Sequence, residues 1–476
     1  MKIVPVIFED QNLARMRPLS WSVPVFELRC GLFNTRERVG LCSSVSGGVL
    51  LGRGMLRNLN RASGWKWGAA SIASFGGEDV RFLFLNGMLA PDFSLIQSLF
   101  ELAREYPEFI WRDGQELIAA VVSVDVAVKV AEAWESWEKD NADQGVWTDP
   151  ARTPPTWMGP DLFPDETSDH PQDLIAQLDE LAMLQEAGPS WIWNIVGFTK
   201  EALTGDLDFV QGGMSFSREP FGIFPGPDLP SPDWAKPTTL EKLSVRLSHE
   251  EISRLAVDVP DLVFCGEGVD LAPGTAIDTT QGPVILDRKV RVMPHCFLEG
   301  PLYIGPGSLV KPGARIHGES SFGIVNRLAG EIGESTFGDF ANKQHEGFIG
   351  HAVLGSWINL GAMTTCSDLK NNYGDIRADL GAGTVSTGSR FVGLMMGDHA
   401  KTAIGTLFNT GTCVGFASNI FGGGMPPKFV GNFKWGGQEG GPLYAVDRAR
   451  STAGIVMARR GCQFKDAHGE LFSSLG

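Results

Sequence analysis

The sequence predicts two fold classes in series: an α/β domain, then a parallel β-helix built on a six-residue repeat. Three observations predict this. Leu286, Val292, Leu298, Ile304, Val310, Ile316 and Phe322 stand six residues apart, with small residues four places after several of them, at Cys296, Ser308, Ala314 and Ser320. A period of six fits neither a helix nor a lone strand, but it fits short strands separated by corners, each turning one apolar side chain inward. In the first half, apolar runs at 3–8, 49–51, 82–85 and 118–128 alternate with helical patterns at 93–104 and 129–139, as in an α/β domain. Between the two halves, residues 219–237 hold six prolines, a composition that resists helix and sheet.

Glycine and proline punctuate the repeat, as in Ile304-Gly-Pro-Gly-Ser-Leu309, because each corner needs a φ that Gly tolerates or Pro presets. Three hexads then close one triangular coil, and residues 18 apart lie above one another at the sheet spacing of about 4.8 Å. An earlier phase runs through Cys265, Leu271 and Ile277, and a later one through Leu354, Leu360 and Cys366. The period breaks at 323–350 and after Ser367, where insertions on one face of a solenoid form its binding surface. Residues 147–171, rich in Pro, Asp and Thr, are expected to be an exposed loop, and 173–187 a helix with one buried face. Residues 445–460 read as a helix capping the coil, with Arg459 and Arg460 favouring its dipole. The expected domains are 1–218, a lead-in at 219–261, a coil at 262–437 and a cap at 438–476.

A chain of 476 residues with 43% apolar content can bury two or more cores. Its 59 glycines and 28 prolines recur with a period, which argues against disorder. A net charge of −16 argues against nucleic acid as partner, although local basic pockets for a phosphorylated ligand remain compatible with it. Seven cysteines without a C-x-x-C pair read as free thiols in a reducing compartment. No leader pattern and no membrane-spanning apolar run is present, so a cytoplasmic location is expected.

The polar run Asn342-Lys343-Gln344-His345, the stretch Asn359-Leu360-Gly361-Ala362-Met363-Thr364-Thr365-Cys366 and the run Leu369-Lys370-Asn371-Asn372-Tyr373-Gly374 carry a family resemblance. With Gly300-Pro301-Leu302-Tyr303-Ile304-Gly305, Gly393-Leu394-Met395-Met396-Gly397-Asp398-His399 and Asn419-Ile420-Phe421-Gly422, they cover most of 262–437. This part resembles the acetyltransferase half of the bifunctional N-acetylglucosamine-1-phosphate uridylyltransferase (GlmU-like) family, in its sugar nucleotidyltransferase branch. The resemblance implies a left-handed coil, a homotrimer, and acetyl-CoA as acyl donor to an amino-sugar phosphate or nucleotide-sugar.

It places His345 on the family's general base, and an imidazole suits proton removal from an attacking amine. Asn371, Asn372 and Tyr373 offer hydrogen bonds that sugar hydroxyls demand, though such a run is also an ordinary turn. Arg327 and Lys343 are candidates for a substrate phosphate, or shield acidic neighbours. His295, His317, His351 and His399 lack metal-ligand spacing and read as coil-surface or subunit-contact residues. Phe348, Phe391 and Phe408 are expected on the exposed sides that a trimer would cover.

The first domain's Arg15-Met16-Arg17-Pro18-Leu19-Ser20, followed by Pro24, is similar to the nucleotidyltransferase signature, and implies an α/β nucleotidyltransferase-like fold. Where that signature has glycines this chain has Glu9-Asp10-Gln11-Asn12; where it has a Lys, Val25; and after Asn86-Gly87, Met88 replaces a metal-binding Asp. Arg15, Arg17, Arg29, Arg36, Asn86 and Gly87 are the nucleotide-binding candidates for a nucleoside triphosphate. Arg29 and Arg36 equally fit surface arginines paired with Glu27 and Glu37. Asp206 and Asp208 form a spaced carboxylate pair for Mg²⁺, or simply a polar turn. The rival to an enzyme is a non-catalytic trimeric scaffold that binds a nucleotide-sugar through a degenerate first domain.

Overall fold

The computed structural model describes residues 1–476 apart from 76, 78, 153, 156, 158–170, 187, 212, 213 and 230. Much of the expected 147–171 loop therefore lies outside the described residues. The chain forms two compact units: Met1–Met16, Val23–Leu28 and Phe33–Ser190 make one, and Arg17–Ser22, Arg29–Leu32 and Trp191–Gly476 make the other.

In the first unit, β1 (Lys2–Phe8), β2 (Gly48–Leu51), β3 (Trp65–Trp67), β4 (Val80–Asn86), β5 (Phe109–Asp113) and β6 (Glu116–Val122) form one sheet in the order β3-β2-β1-β4-β6-β5. The first four are parallel; β6 runs antiparallel to β4 and β5 to β6. Val4, Val6, Phe8, Phe82 and Phe84 are fully buried, as expected of strands covered by helices. Around the sheet lie α1 (Thr35–Cys42), α2 (Phe93–Glu105), α3 (Val124–Asp143) and α4 (Gln172–Glu186). Asp92 starts α2 by accepting hydrogen bonds from the Ser94 and Leu95 amides. The apolar run at 118–128 is not one element. Ser123 turns the chain at the N-terminus of α3, so the run supplies the end of β6 and the first turn of a helix.

From Val263 to Leu354 the second unit stacks short parallel strands into three sheets, each collecting every third strand along the chain. Val284 pairs with Leu302, Arg291 with Leu309 and Phe297 with Arg315, each eighteen residues on. None of the seven register residues from Leu286 to Phe322 is more than 2% exposed, and Cys296, Ser308, Ala314 and Ser320 are buried beside them. Burying such a side chain contributes about 1.5–3 kcal/mol, so inward placement every sixth residue dictates the register. Gly307 takes φ +71 at a corner, as expected, yet other corners carry His295, Val325, Phe340, His351 and Trp357 at positive φ. Packing at these corners overrides an intrinsic preference of about 1–2 kcal/mol.

Three expectations are corrected here. The stretch 323–350, expected to be an insertion, continues the stacked strands: Ser321 pairs with Thr336 and Arg327 with Asn342, fifteen residues on, while Leu328, Ile332, Phe337 and Ile349 stay buried. Shorter corners removed the six-residue signal without removing the strands. The true excursion follows Cys366; Val353 pairs with Met395 and Thr365 with Leu407, after which pairing eighteen residues on resumes at Met395 with Cys413. Where the excursion returns, a Cβ on Gly393 would lie 1.9 Å from the Gly350 carbonyl oxygen, so this close approach requires glycine. The proline-rich stretch, for its part, is packed: Phe224–Pro225 pairs with Cys462–Gln463, and Ile223 and Trp234 are buried with Ile324, Phe340 and Trp357. Lastly, Phe408 belongs to the coil core at 1% exposure, whereas Phe391 is exposed.

Further along the second unit, α5 (Thr199–Val210) precedes the coil, and α6 (Val446–Ala458) and α7 (Asp466–Leu475) follow it. All seven cysteines are free. Among the described residues, no helix is long and apolar enough to cross a membrane.

Candidate functional site

Stacking of parallel segments brings Arg327, Asn342, Asn359 and Lys401 into one column, since each pairs with the next. Asn342 Nδ2 donates to Asn359 Oδ1 at 2.6 Å. With Arg459 and Arg460, just beyond α6, they line a cavity of about 580 Å³ whose apolar wall includes Phe340 and Trp357. Those two rings stack at 4.2 Å. Among the described residues lining it there are four cationic side chains and no Asp or Glu.

The electrostatics reflect that crowding. Burial, helped by the neighbouring Arg460 charge, pushes Arg327 down to about 10, and burial pushes Lys401 down to about 8. Arg460 is lowered by burial and by Arg459. Cations held together without a counter-charge form a site for an anion, and guanidinium groups suit phosphate oxygens. Gln344 also lines this cavity, one residue before His345.

His345 itself is exposed, on the corner that follows the strand Asn342–Lys343. Lys343, expected to meet a substrate phosphate, is 2% exposed and points into the coil, where its Nζ donates to the Ala329 carbonyl at 3.0 Å and to the His345 carbonyl. Its side chain is therefore not open to substrate. Asn371, Asn372 and Tyr373 lie exposed on the excursion at 367–391, held as a turn by Tyr373 N–H to the Lys370 carbonyl and Gly374 N–H to Asn372 Oδ1. Among the described residues, no hydrogen bond joins them to His345.

The remaining histidines divide. His317 and His351 sit on coil corners with carboxylate partners, Glu299 at 3.0 Å and Asp368 at 2.8 Å. His399, expected at the surface, is instead buried against Phe416 and Phe472 of α7, and burial pushes its pKa well down.

In the first unit, polar groups gather beyond the carboxyl ends of β1 and β4, where open parallel sheets bind ligands. Asn86 Nδ2 donates to Asp10 Oδ2 at 2.9 Å and to the Leu117 carbonyl, while its Oδ1 accepts the Met88 amide. Gly87 lets the chain pass close to Val25 and the Phe8 carbonyl. Burial pushes Asp10 up to about 6. Glu9, where the nucleotidyltransferase signature has a glycine, is buried and accepts from the Val25 amide and from the Arg53 backbone and guanidinium. Arg36 is buried against Glu27 at 2.5 Å, and Glu37 is used in the capping box of α1. Arg15 lies 4.0 Å from Glu116. Arg17 and Arg29 fall in the second unit, Arg17 buried over Trp21 and Arg29 donating to the Leu32 carbonyl.

Asp206 and Asp208 lie in α5, not in a turn. Two residues apart on a helix they face different sides: Asp206 is buried with Oδ2 accepting the Leu32 amide, and Asp208 is exposed. They do not converge on a cation, and among the described residues no cluster of three or more potential ligands does. Sequence reasoning missed Asn342, Asn359 and Lys401 as site residues, and gave Arg459 and Arg460 only a dipole role. Arg327, Asn342, Asn359 and Lys401 pair at unequal spacings, so no sequence period marked them.

These two units define a class: an α/β sheet of nucleotidyltransferase type followed by stacked parallel strands bearing a basic cavity. Comparisons agree with the first part, since residues 5–215 match the family model described as sugar nucleotidyl transferase, a family of transferases. The chain is also 25% identical over 127 residues to a protein of Sulfurisphaera tokodaii named bifunctional sugar-1-phosphate nucleotidylyltransferase/acetyltransferase. That match covers 27% of this chain and 31% of the relative, so about a third of the relative's length is spanned.

Proposed function

We propose that the second unit is a left-handed hexapeptide β-helix that transfers an acetyl group from acetyl-CoA to an amino-sugar phosphate or nucleotide-sugar, with His345 as general base. The observation that carries this reading is the cavity of Arg327, Lys401, Arg459 and Arg460, with no Asp or Glu among its described lining residues, next to the His345 corner. Both proposed reactants carry phosphate, and a cavity of four cations favours such ligands over neutral sugars. His345, exposed and three residues beyond the Asn342 wall, is open to take the proton that the amine loses as it attacks the thioester. The relative's name pairs acetyl transfer with nucleotidyl transfer, which supports the same pairing here.

Nucleotidyl transfer by the first unit is the second activity in this reading, and its rate is expected to be low. Glu9 and Asp10 put carboxylates where a triphosphate would need bare backbone, which also favours the alternative of a nucleotide-sugar-binding domain without turnover. A homotrimer is part of the reading, with Phe391 among the residues it would cover. The test is release of free thiol from acetyl-CoA in the presence of glucosamine 1-phosphate and other amino-sugar phosphates. Absence of transfer to any of them, in a protein that still binds nucleotide-sugars, would replace the acyltransferase with the scaffold.

A further inference from the structure

Lys343 occupies an unusual place. Its column runs inward through Val292, Val310 and Leu328, each paired with the next, and the following coil carries buried Leu360. An ammonium in such a column is costly unless its hydrogen bonds are met. What it meets is the corner bearing His345. Of the three carbonyls at 345–347, that of Glu346 accepts the Met363 amide from the next coil and that of Gly347 accepts the Glu331 amide from the previous one. The His345 carbonyl receives its donor from Lys343 Nζ instead, and the same Nζ reaches back to Ala329 on the preceding coil.

We propose that Lys343 is a positioning residue: its buried ammonium fixes the His345 backbone and so the direction in which the imidazole projects. This rests on the reading of His345 as the base. The titratable groups facing Lys343 are Glu346, Arg315 and Cys366; Glu346 is itself within 3.7 Å of Arg315, and the Cys366 thiol is pushed up by burial. Burial pushes Lys343 down to about 8, so it loses its proton within an accessible range.

The test uses Lys343→Met, which keeps length and volume while removing the donor. The expected variant folds with unchanged or raised Tm, loses about tenfold to a hundredfold in kcat with the acyl-donor KM little changed, and lacks an alkaline fall in kcat near pH 8 that wild type shows. Independently of any activity, the His345 ring signals in NMR spectra of wild type should pass through a step near pH 8 that Lys343→Met abolishes. Wild-type kcat together with unchanged His345 signals in the variant would overturn the proposal. If wild type transfers no acyl group, the comparison of the two proteins' NMR spectra alone decides: displaced His345 signals in Lys343→Met support the anchoring while the acyltransferase reading fails, and unchanged signals overturn the anchoring. If Lys343→Met does not fold, Lys343→Leu makes the same comparison, with displaced His345 signals supporting the anchoring and unchanged signals overturning it.

Discussion

Ser22 Oγ donates a 2.8 Å hydrogen bond to the Asp398 carboxylate, joining residues 376 positions apart within the second unit. The same carboxylate accepts the Ser356 amide at 2.6 Å. Burial outweighs both bonds and pushes Asp398 up to about 6 from 3.8. The folded state therefore binds more protons than the unfolded chain between about pH 4 and 6, and this group's contribution to stability falls as pH rises through that window. An asparagine keeps an acceptor for Ser356 and a donor for Ser22 but cannot ionise. Asp398→Asn should raise stability at pH 7 by on the order of 1–3 kcal/mol, at about 1.4 kcal/mol per pKa unit, with the gain vanishing near pH 4. Tm measured for both proteins from pH 4 to 7 checks this; a constant offset across pH contradicts it. Asp10 has the same direction of shift and remains in both proteins, so it cancels in the comparison.

His345→Ala separates catalysis from architecture. His345 is exposed and outside the coil core, so fold and assembly should survive. A positioned general base contributes about 10² to 10⁴ in rate, and acetyl transfer should fall by that factor with KM little changed. Full activity in the variant would move the base elsewhere.

The cavity offers a binding readout that requires no turnover. Inorganic pyrophosphate should raise the Tm of wild type, and the rise should shrink with added salt because exposed charges are screened. Lys401→Met removes a cation without removing its stem, and Arg460→Gln removes another from the rim. Each should weaken pyrophosphate binding about tenfold, and the double variant should show no Tm rise below millimolar concentrations. An undiminished shift in the double variant would place the anion at another site.

How far the sequence disclosed this arrangement depends on which way each residue faces. Inward positions such as Leu298 and Ile316 recur because the core tolerates only apolar or small groups there, so the buried positions of these short strands were legible without any structure. Lys343 hid the same register, being a polar residue at an inward position, and the shortened corners between Phe322 and Ile349 hid the strands around it. Outward positions carry no such constraint. Arg327, Asn342, Asn359 and Lys401 share one column through pairings at three different spacings, fifteen, seventeen and forty-two residues, and no fixed period finds them. Arg459 and Arg460 reach the cavity from a segment outside the repeat altogether. In the first unit the alternating runs were legible as strands and helices, but the fate of each arginine was not, because ion pairing with Glu9 or Glu27 is a tertiary event.

That pairing leads to the last expectation. Nucleotidyl transfer needs positive charge and usually a metal on the developing pyrophosphate. At the carboxyl end of β1 Arg53 is 1% exposed and held by both Glu9 oxygens, and Arg36 is held by Glu27, so neither cation is available without breaking a buried pair. Asp10, held by Asn12 and Asn86, adds a carboxyl group that is ionised above about pH 6, where triphosphate is most negative. Pyrophosphate release from UTP or dTTP with a sugar 1-phosphate and Mg²⁺ should therefore be absent or slow at pH 7.5. Lowering the pH to about 6 should not restore it, because protonating Asp10 leaves both ion pairs in place. Robust Mg²⁺-dependent release at pH 7.5 would show that the first unit supplies its positive charge from residues other than Arg36 and Arg53.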